Sequence, residues 1–384
     1  MSVTAARGFR AAGISAGIKA GGGPDLALVI NDGPRDSVAA VFTGNRVKAA
    51  PVLWSLQAVA DGHAKAVILN SGGANACTGP EGFADTHVTA ERVAELLSIG
   101  AGDVVVCSTG LIGERLPMAD LLPGIGLAVE ALTDGGGADA AEAIRTTDSV
   151  AKTAVFTHPD GWTVGGMAKG AGMLAPSLAT MLCVLTTDAS AGGAELGIAL
   201  RQAVRTTFDR LDSDGCMSTN DTVVLLASGA ADHAASAAEL ADATRVVCAD
   251  LVAQLLADAE GATKEIEIVV TGAATEDDAV QVGRAIARNN LLKCALFGND
   301  PNWGRVLAAI GTTSAAFEPD RLDVAINGVR VCRNGAAGDS RELVDLSGRR
   351  VLIATDLNAG AETATVYTND LSHAYVEENS AYST

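Results

Sequence analysis

The sequence predicts a mixed α/β protein, and three observations carry that reading. Short apolar runs bounded by Gly, Asn or Asp recur along the chain, and longer segments space their apolar residues at three and four. The two kinds of segment do not alternate strictly, which argues against a doubly wound parallel sheet. In the first half the short runs are "LALVIND", "VAAVFTG", "AKAVILNSG" and "DVVVCSTG". Each has the length and bounding residues of a strand, several of them buried on both faces. The second half resumes with "TMLCVLTTD", "DTVVLLASG", "EIEIVVTGA", "RLDVAINGVRV", "RVLIATDL" and "ATVYTNDLS".

Helices are expected between and after these strands. "VTAERVAELLS" should open behind Thr86 as its N-cap. "AELGIALRQAVRTTFD" and "AAELADATRVVCADLVAQLLADAEG" have amphipathic spacing. "TEDDAVQVGRAIARNN" carries acids in its first turn, where they complement the helix dipole. "LTDGGGADAA", near residue 135, reads as a flexible loop by its glycines. It separates no domains, and no internal repeat is visible.

A chain of 384 residues can bury one large core or two ordinary ones. Aromatics are 3% against 48% hydrophobic residues, so Ala, Val, Leu and Ile must build that core. The net charge of −19 disfavours nucleic acid, whose phosphates it would repel. The cysteines at 77, 107, 183, 216, 248, 294 and 332 are odd in number and lack any CxxC, a reduced, cytosolic pattern. The N-terminus has no uninterrupted apolar stretch of a secretory signal, and no run approaches the roughly 18 residues of a membrane span. A cytoplasmic chain without a membrane partner is expected.

The histidines at 63, 87, 158, 233 and 373 are scattered without HxxxH spacing, so no metal site is expected. There is no GxSxG elbow and no GxxxxGK[ST] loop. Hydroxyls remain. "CSTGLIGERLP" puts Ser108, Thr109 and Gly110 where a strand ends and a turn begins. A Thr hydroxyl beside an exposed Gly amide is a suitable donor pair for a developing oxyanion, although a turn capping the next segment accounts for the same letters.

"KGAGMLAPSLATMLCVLTTDA" is more specific. A loosened loop runs into a buried strand with Thr180 at the joint. A threonine hydroxyl needs a base, and an α-amino group, with a pKa of about 7.7 to 8.0, would serve from the same residue. Thr180 owns a free α-amine only if the bond from Ala179 breaks. The route is attack by the hydroxyl on its own preceding carbonyl, giving an ester that water hydrolyses. On these residues alone, a structural threonine opening a strand stays open as the alternative.

The stretch "GGMAKGAGMLAPSLATML" resembles the processing site of the ornithine acetyltransferase family, also called arginine biosynthesis bifunctional proteins. "NSGGANACTG", "CSTGLIGERLP", "TTDS", "DGCMSTNDT", "GATKEIEI", "NDPNWGR" and "YVEENSAYST" fit the same family in the same order, over nearly the whole chain. The resemblance implies a mixed-sheet α/β sandwich of the self-processing ornithine acetyltransferase and aminopeptidase type. It implies cleavage between Ala179 and Thr180 into an α chain, 1–179, and a β chain, 180–384, packed as one unit.

The resemblance also implies that Thr180 takes an acetyl group from N2-acetyl-L-ornithine and passes it to L-glutamate by a ping-pong route. Thr109 and Gly110 match its oxyanion pair. Substrate contacts map onto Thr146 (with Thr147 one register away), Lys169, Thr180, Glu260, Asn379 and Thr384. No cofactor is implied, though some members use acetyl-CoA as a co-substrate, and an α2β2 heterotetramer is the implied assembly. The chain departs from the family pattern at Gly73, where Asn is common, and in "FDRLDSDGC". "DPNWGR" and "DGCMSTND" receive no chemistry and read as loop-shaping segments, with Trp303 either core or pocket wall.

Overall fold

A computed structural model describes residues 2–174 and 181–381. Strands are numbered in chain order and, among the described residues, fall into three sheets. The first runs β1 (Phe9–Ile14), β2 (Leu26–Asn31), β4 (Ala66–Asn70), β5 (Val104–Ser108). The second runs β3 (Ser37–Phe42), β9 (Thr222–Ala227), β8 (Leu182–Thr187), β7 (Thr163–Lys169), β6 (Lys152–Thr157). The third runs β13 (Ala336–Ala337), β12 (Val329–Arg333), β11 (Asp323–Ile326), β14 (Arg350–Asp356), β10 (Glu265–Ala273), β15 (Glu362–Asn369). The mixed α/β class read from the sequence is the one observed.

Burial explains which strands were continuous apolar runs. Strands β2, β4, β5, β7, β8 and β9 are buried at every residue, because both faces of the first two sheets are covered. One face of the first sheet packs on the helices Gly79–Leu97 and Met118–Glu130. Its other face, through Val29, Val67 and Leu69, meets Met167, Val184 and Leu226 of the second sheet. The far side of the second sheet is covered by the helices Gly193–Arg205 and Ala237–Ala257. The result is a helix–sheet–sheet–helix stack built of small aliphatics. The third sheet has a core of its own, against the helices Glu276–Ala287, Asn290–Phe297 and Trp303–Ile310.

Strand β8 sits in the middle of its sheet. It pairs antiparallel with β7, Leu182 opposite Lys169, and parallel with β9, Leu182 opposite Thr222. Strands from before and after residue 180 therefore interleave, with β3 on one side of β9 and β7 beside β8.

Three local expectations are corrected. The first helix of the "VTAERVAELLS" region starts at Gly79 rather than behind Thr86. Pro80 occupies its first turn, where a missing N–H leaves no bond unmade. Thr86 lies inside the helix, its hydroxyl donating to the Gly82 carbonyl at 3.1 Å. "LTDGGGADAA" is not simply a loop: residues Gly137–Ala143 form a helix. A Cβ on Gly136 would stand 1.9 Å from the Ala11 carbonyl oxygen, so that glycine permits close packing on β1. "RLDVAINGVRV" is a hairpin, not one strand, because Asn327 and Gly328 turn it at φ 46° and 83°.

The last described element is a helix, His373–Ala381, and Ser372 just before it donates to the Gly261 carbonyl in the turn after Ala237–Ala257. The seven cysteines are free, with Cys107, Cys183, Cys248 and Cys332 buried. Among the described residues no helix is long and apolar enough to cross a membrane.

Candidate active site

The turn after β5 is fixed by backbone bonds on both sides. Thr109 N–H donates to the Asn70 carbonyl and the Thr109 carbonyl accepts from Gly73 N–H, both at 3.0 Å. Gly110 follows at φ 132°, and a Cβ there would stand 2.8 Å from the Gly73 nitrogen. Only glycine fits that position. Asn220 ties the two loops together, its amide donating to the Ala74 carbonyl at 2.7 Å and the Ser108 carbonyl at 2.8 Å.

Lys169 closes β7 with its ammonium 3.4 Å from the Thr109 hydroxyl and 4.0 Å from Asp148 Oδ2. It is buried, and burial pulls its pKa below the usual lysine value. Lys152 pulls the same way, while Asp148, Asp221 and Glu260 oppose. Asp148 is the hub beneath it. Its Oδ1 accepts from Lys152 Nζ and from the Gly170 N–H, each at 2.6 Å, and its Oδ2 from the Thr146 N–H at 3.1 Å. Burial alone would raise the Asp148 pKa, but Lys169, Lys152 and the Gly170 amide hold it down at about 2. Lys152, fully buried, is shared with Asp258 at 2.6 Å.

Opposite this cluster stands Glu260. Its Oε1 accepts from the Thr147 hydroxyl at 2.8 Å and its Oε2 from the Asn379 amide at 2.9 Å. Gly172 leaves room for it, since a Cβ there would lie 2.5 Å from Oε2.

These groups surround one cavity of about 360 Å³. Thr109, Gly110, Thr146, Thr147, Lys169, Glu260 and Asn379, all singled out in the sequence, line it together. Both threonines of the uncertain register reach the cavity, with the Thr147 hydroxyl turned to Glu260. Ala179, Thr180 and Thr384 lie outside the described residues. The described residue that follows Thr180 is Met181, whose N–H donates to Asp221 Oδ1 at 3.0 Å.

Residues 10–384 match the model of the ArgJ family. The chain belongs to that family. It is 67% identical over 383 residues to the arginine biosynthesis bifunctional protein ArgJ of Streptomyces avermitilis, covering all of both chains. To the same-named protein of Mycobacterium tuberculosis strain H37Rv it is 60% identical over 388 residues, covering 99% of this chain and 96% of that one. A crystal structure of the argJ protein of Bacillus halodurans shares 35% identity at a TM-score of 0.50, covering 52% of this chain and 98% of that chain. ArgJ membership makes the chain an acyltransferase of arginine biosynthesis.

Within this ArgJ site, several residues carried no functional reading in the sequence. Ser218, Thr219 and Asn220, from the segment read only as loop-shaping, line the cavity. Asp148 lies inside the quoted "TTDS" block, yet nothing there announced a buried hub. Lys152 had no signal at all, since a lysine opening a strand normally reads as solvated. Trp303 takes the core side of its two readings, partly buried against the third sheet's core. His158, Asp160 and Glu239 bring one donor atom each within 4.8 Å of one another, a grouping their spacing in sequence does not show. None of the three lines the cavity.

The hub gives a stability prediction. Asp148→Asn leaves Lys152 and Lys169 buried with less compensation, and a loss of about 3–5 kcal/mol is expected in urea unfolding at neutral pH. Because the folded Asp148 pKa is depressed, its contribution is present above the unfolded carboxyl value and disappears as pH falls towards about 2. The gap between wild type and Asp148→Asn should therefore narrow from about pH 4 downwards. A gap independent of pH would contradict an ionised Asp148.

Proposed function

We propose that this enzyme moves an acetyl group from N2-acetyl-L-ornithine to L-glutamate through an acetyl-enzyme on Thr180, after cutting itself between Ala179 and Thr180. The observation that supports this most directly is the shared cavity. It sets a threonine–glycine turn, a buried lysine and a carboxylate around one space, with the chain entering β8 two residues after Thr180.

In self-cleavage the Thr180 hydroxyl oxygen bonds to the Ala179 carbonyl carbon. The Ala179–Thr180 C–N bond breaks, and the hydroxyl proton goes to the nitrogen. Water then hydrolyses the ester, leaving the Ala179 carboxylate, a free Thr180 hydroxyl and the new amine, with the acid proton released to solvent. In the acetyl transfer the amine takes the hydroxyl proton as the oxygen attacks the acetyl carbon. The Gly110 N–H and the Thr109 hydroxyl receive the developing oxyanion. Lys169 already donates to the Thr109 oxygen at 3.4 Å, so the Thr109 proton is left to point elsewhere.

Ornithine departs with the proton, glutamate enters, and the same steps run in reverse to give N-acetylglutamate. Lys169 suits a substrate α-carboxylate and Glu260 a substrate ammonium, with Thr146 or Thr147, Asn379 and Thr384 completing the contacts. The cycle needs no cofactor, and acetyl-CoA is the co-substrate if the chain also makes N-acetylglutamate directly. The working form is a cytoplasmic α2β2 assembly. The Bacillus halodurans chain, matched over 98% of its length by 52% of this one, supports division into two pieces.

The test pairs intact mass under denaturing conditions with an acetylornithine assay. Two chains, the second beginning at Thr180, and ornithine release that depends on glutamate are expected. A single active chain would refute the nucleophile, and release indifferent to glutamate would mark a hydrolase.

The terminal helix adds a prediction. Because Asn379 lines the cavity from the helix His373–Ala381, extending the chain past Thr384 should lower kcat/KM by about tenfold or more. An extension before Met1 should leave it unchanged, and equal tolerance of both tags would remove the tail from the site.

A further inference from the structure

The turn between β6 and β7 and the start of the helix Ala237–Ala257 bring two imidazoles and two carboxylates together. His158 N–H donates to the Trp162 carbonyl and Gly161 N–H to the His158 carbonyl, both at 2.8 Å, which fixes the turn. The His158 ring lies almost flat on the fully buried Trp162 indole, centroids 4.7 Å apart at 17°. The His233 ring is nearly parallel to the same indole at 6.2 Å, and its backbone carbonyl accepts the Ser190 N–H at 2.7 Å. Glu239 is held by the cap of its helix, Oε2 accepting the Ser236 N–H at 2.8 Å.

Asp160 stands among them. Its Oδ2 is 3.5 Å from His158 Nδ1 and 4.0 Å from His233 Nε2. One donor atom each of His158, Asp160 and Glu239 lies within 4.8 Å of the other two. Among the described residues no lysine or arginine pairs with either carboxylate, so two anions share this corner without a permanent cation. We propose that His158, Asp160, Glu239 and His233 bind a divalent transition cation of the zinc type.

Bonds of about 2.0–2.2 Å to imidazole and carboxylate set tetrahedral donors about 3.4 Å apart. The donors must close by about an ångström, within the swing of two exposed carboxylates. The ion also replaces the bond that His158 Nδ1 accepts from the Asp160 N–H at 3.2 Å. Two nitrogen donors select a zinc-like ion over magnesium or calcium, which prefer oxygen. None of the four residues lines the catalytic cavity, so the ion is a cross-link and takes no part in acetyl transfer. It ties the β6–β7 turn, before residue 180, to the helix Ala237–Ala257 after it. In a chain cut between 179 and 180 it would join the two pieces, a consequence that rests on the self-cleavage reading above, whereas the site itself does not.

The test is calorimetric titration of the full-length, chelator-stripped protein with Zn²⁺ alone, and with Mg²⁺ as the control. One Zn²⁺ per chain with a Kd of about 1 μM or tighter is expected, and no heat from Mg²⁺. The variants are chosen to keep the local structure. Glu239→Gln preserves the helix cap and His158→Phe preserves a ring on Trp162. Each should weaken Zn²⁺ binding by about 10- to 100-fold or more and abolish the rise in Tm that Zn²⁺ gives the wild type, with kcat/KM for acetylornithine unchanged. Co²⁺ gives a readout that needs no variant: bound against His158, it should quench tryptophan emission through the stacked Trp162. Absence of Zn²⁺ binding, equal binding of Mg²⁺, unquenched emission with Co²⁺, or wild-type affinity in either folded variant overturns the proposal.

Discussion

Thr180→Ala is expected to give a single uncut chain with acetyl transfer reduced by about 10⁵-fold or more. On the proposed mechanism the size follows from removing the nucleophile and its base together, because the α-amine would exist only after the hydroxyl had cut the chain. The fold should survive. Strand β8 begins at Leu182, and its pairings with β7 and β9 are backbone bonds that do not involve position 180. Denaturing mass spectrometry reads the cut, circular dichroism reads the fold, and ornithine release reads the chemistry. Thr180→Ser retains a hydroxyl and should still be cut. A cut Thr180→Ala protein would require another agent of cleavage, and an active one would require another nucleophile.

Gly110→Ala should lower kcat by about 10²- to 10³-fold with a much smaller change in KM, the pattern of a lost oxyanion donor. Two features produce the effect. The φ of 132° lies where an alanine is strained, and the added Cβ would stand 2.8 Å from the Gly73 nitrogen and 2.9 Å from its Cα. The Gly73–Thr109 backbone bond must then give way, and it is that bond which aims the turn at the cavity. Urea unfolding should show a loss of about 1–3 kcal/mol beside the kinetic one. A variant with lost stability but unchanged kcat would show that the turn is scaffold and the oxyanion donors lie elsewhere.

The two buried sheets were the legible part of the fold. Their strands are covered on both faces, so "LALVIND", "DVVVCSTG" and "TMLCVLTTD" stand out as unbroken apolar runs between polar turns. Strand β6, with Lys152 inside it, was not read, because its pattern of buried and exposed residues follows one partner strand and one buried ion pair. The hairpin at Asn327–Gly328 had a local signal, an Asn-Gly pair between apolar runs, that outranks the run on which the single strand was based. Thr86 looked like a cap because the helix ahead of it begins with Gly and Pro, which imitate a loop.

In the site, Thr109 and Gly110 were visible from chemistry at the end of a strand. Lys169, Glu260 and Asn379 were visible only through family resemblance, since they lie far apart in sequence and meet through the fold. Asp148 and Asp221 were not assigned roles, because what distinguishes them is burial, and an aspartate in a polar block reads as solvent-facing.

The interleaving of the second sheet has a bearing on how the mature protein would come apart. After a cut at 179–180, β3, β6 and β7 belong to one piece while β8 and β9 belong to the other, and the β3–β9 and β7–β8 pairings join them. Neither piece keeps the second sheet whole, so the two cannot separate without taking that sheet apart. Once melted, the two pieces must find each other by diffusion, and recovery becomes second order in protein. The uncut Thr180→Ala chain should refold at a rate independent of dilution, whereas the processed enzyme should lose its recovery as it is diluted. Maturation would thus turn a reversible equilibrium into a one-way decision, with the lifetime of the enzyme governed by its unfolding rate.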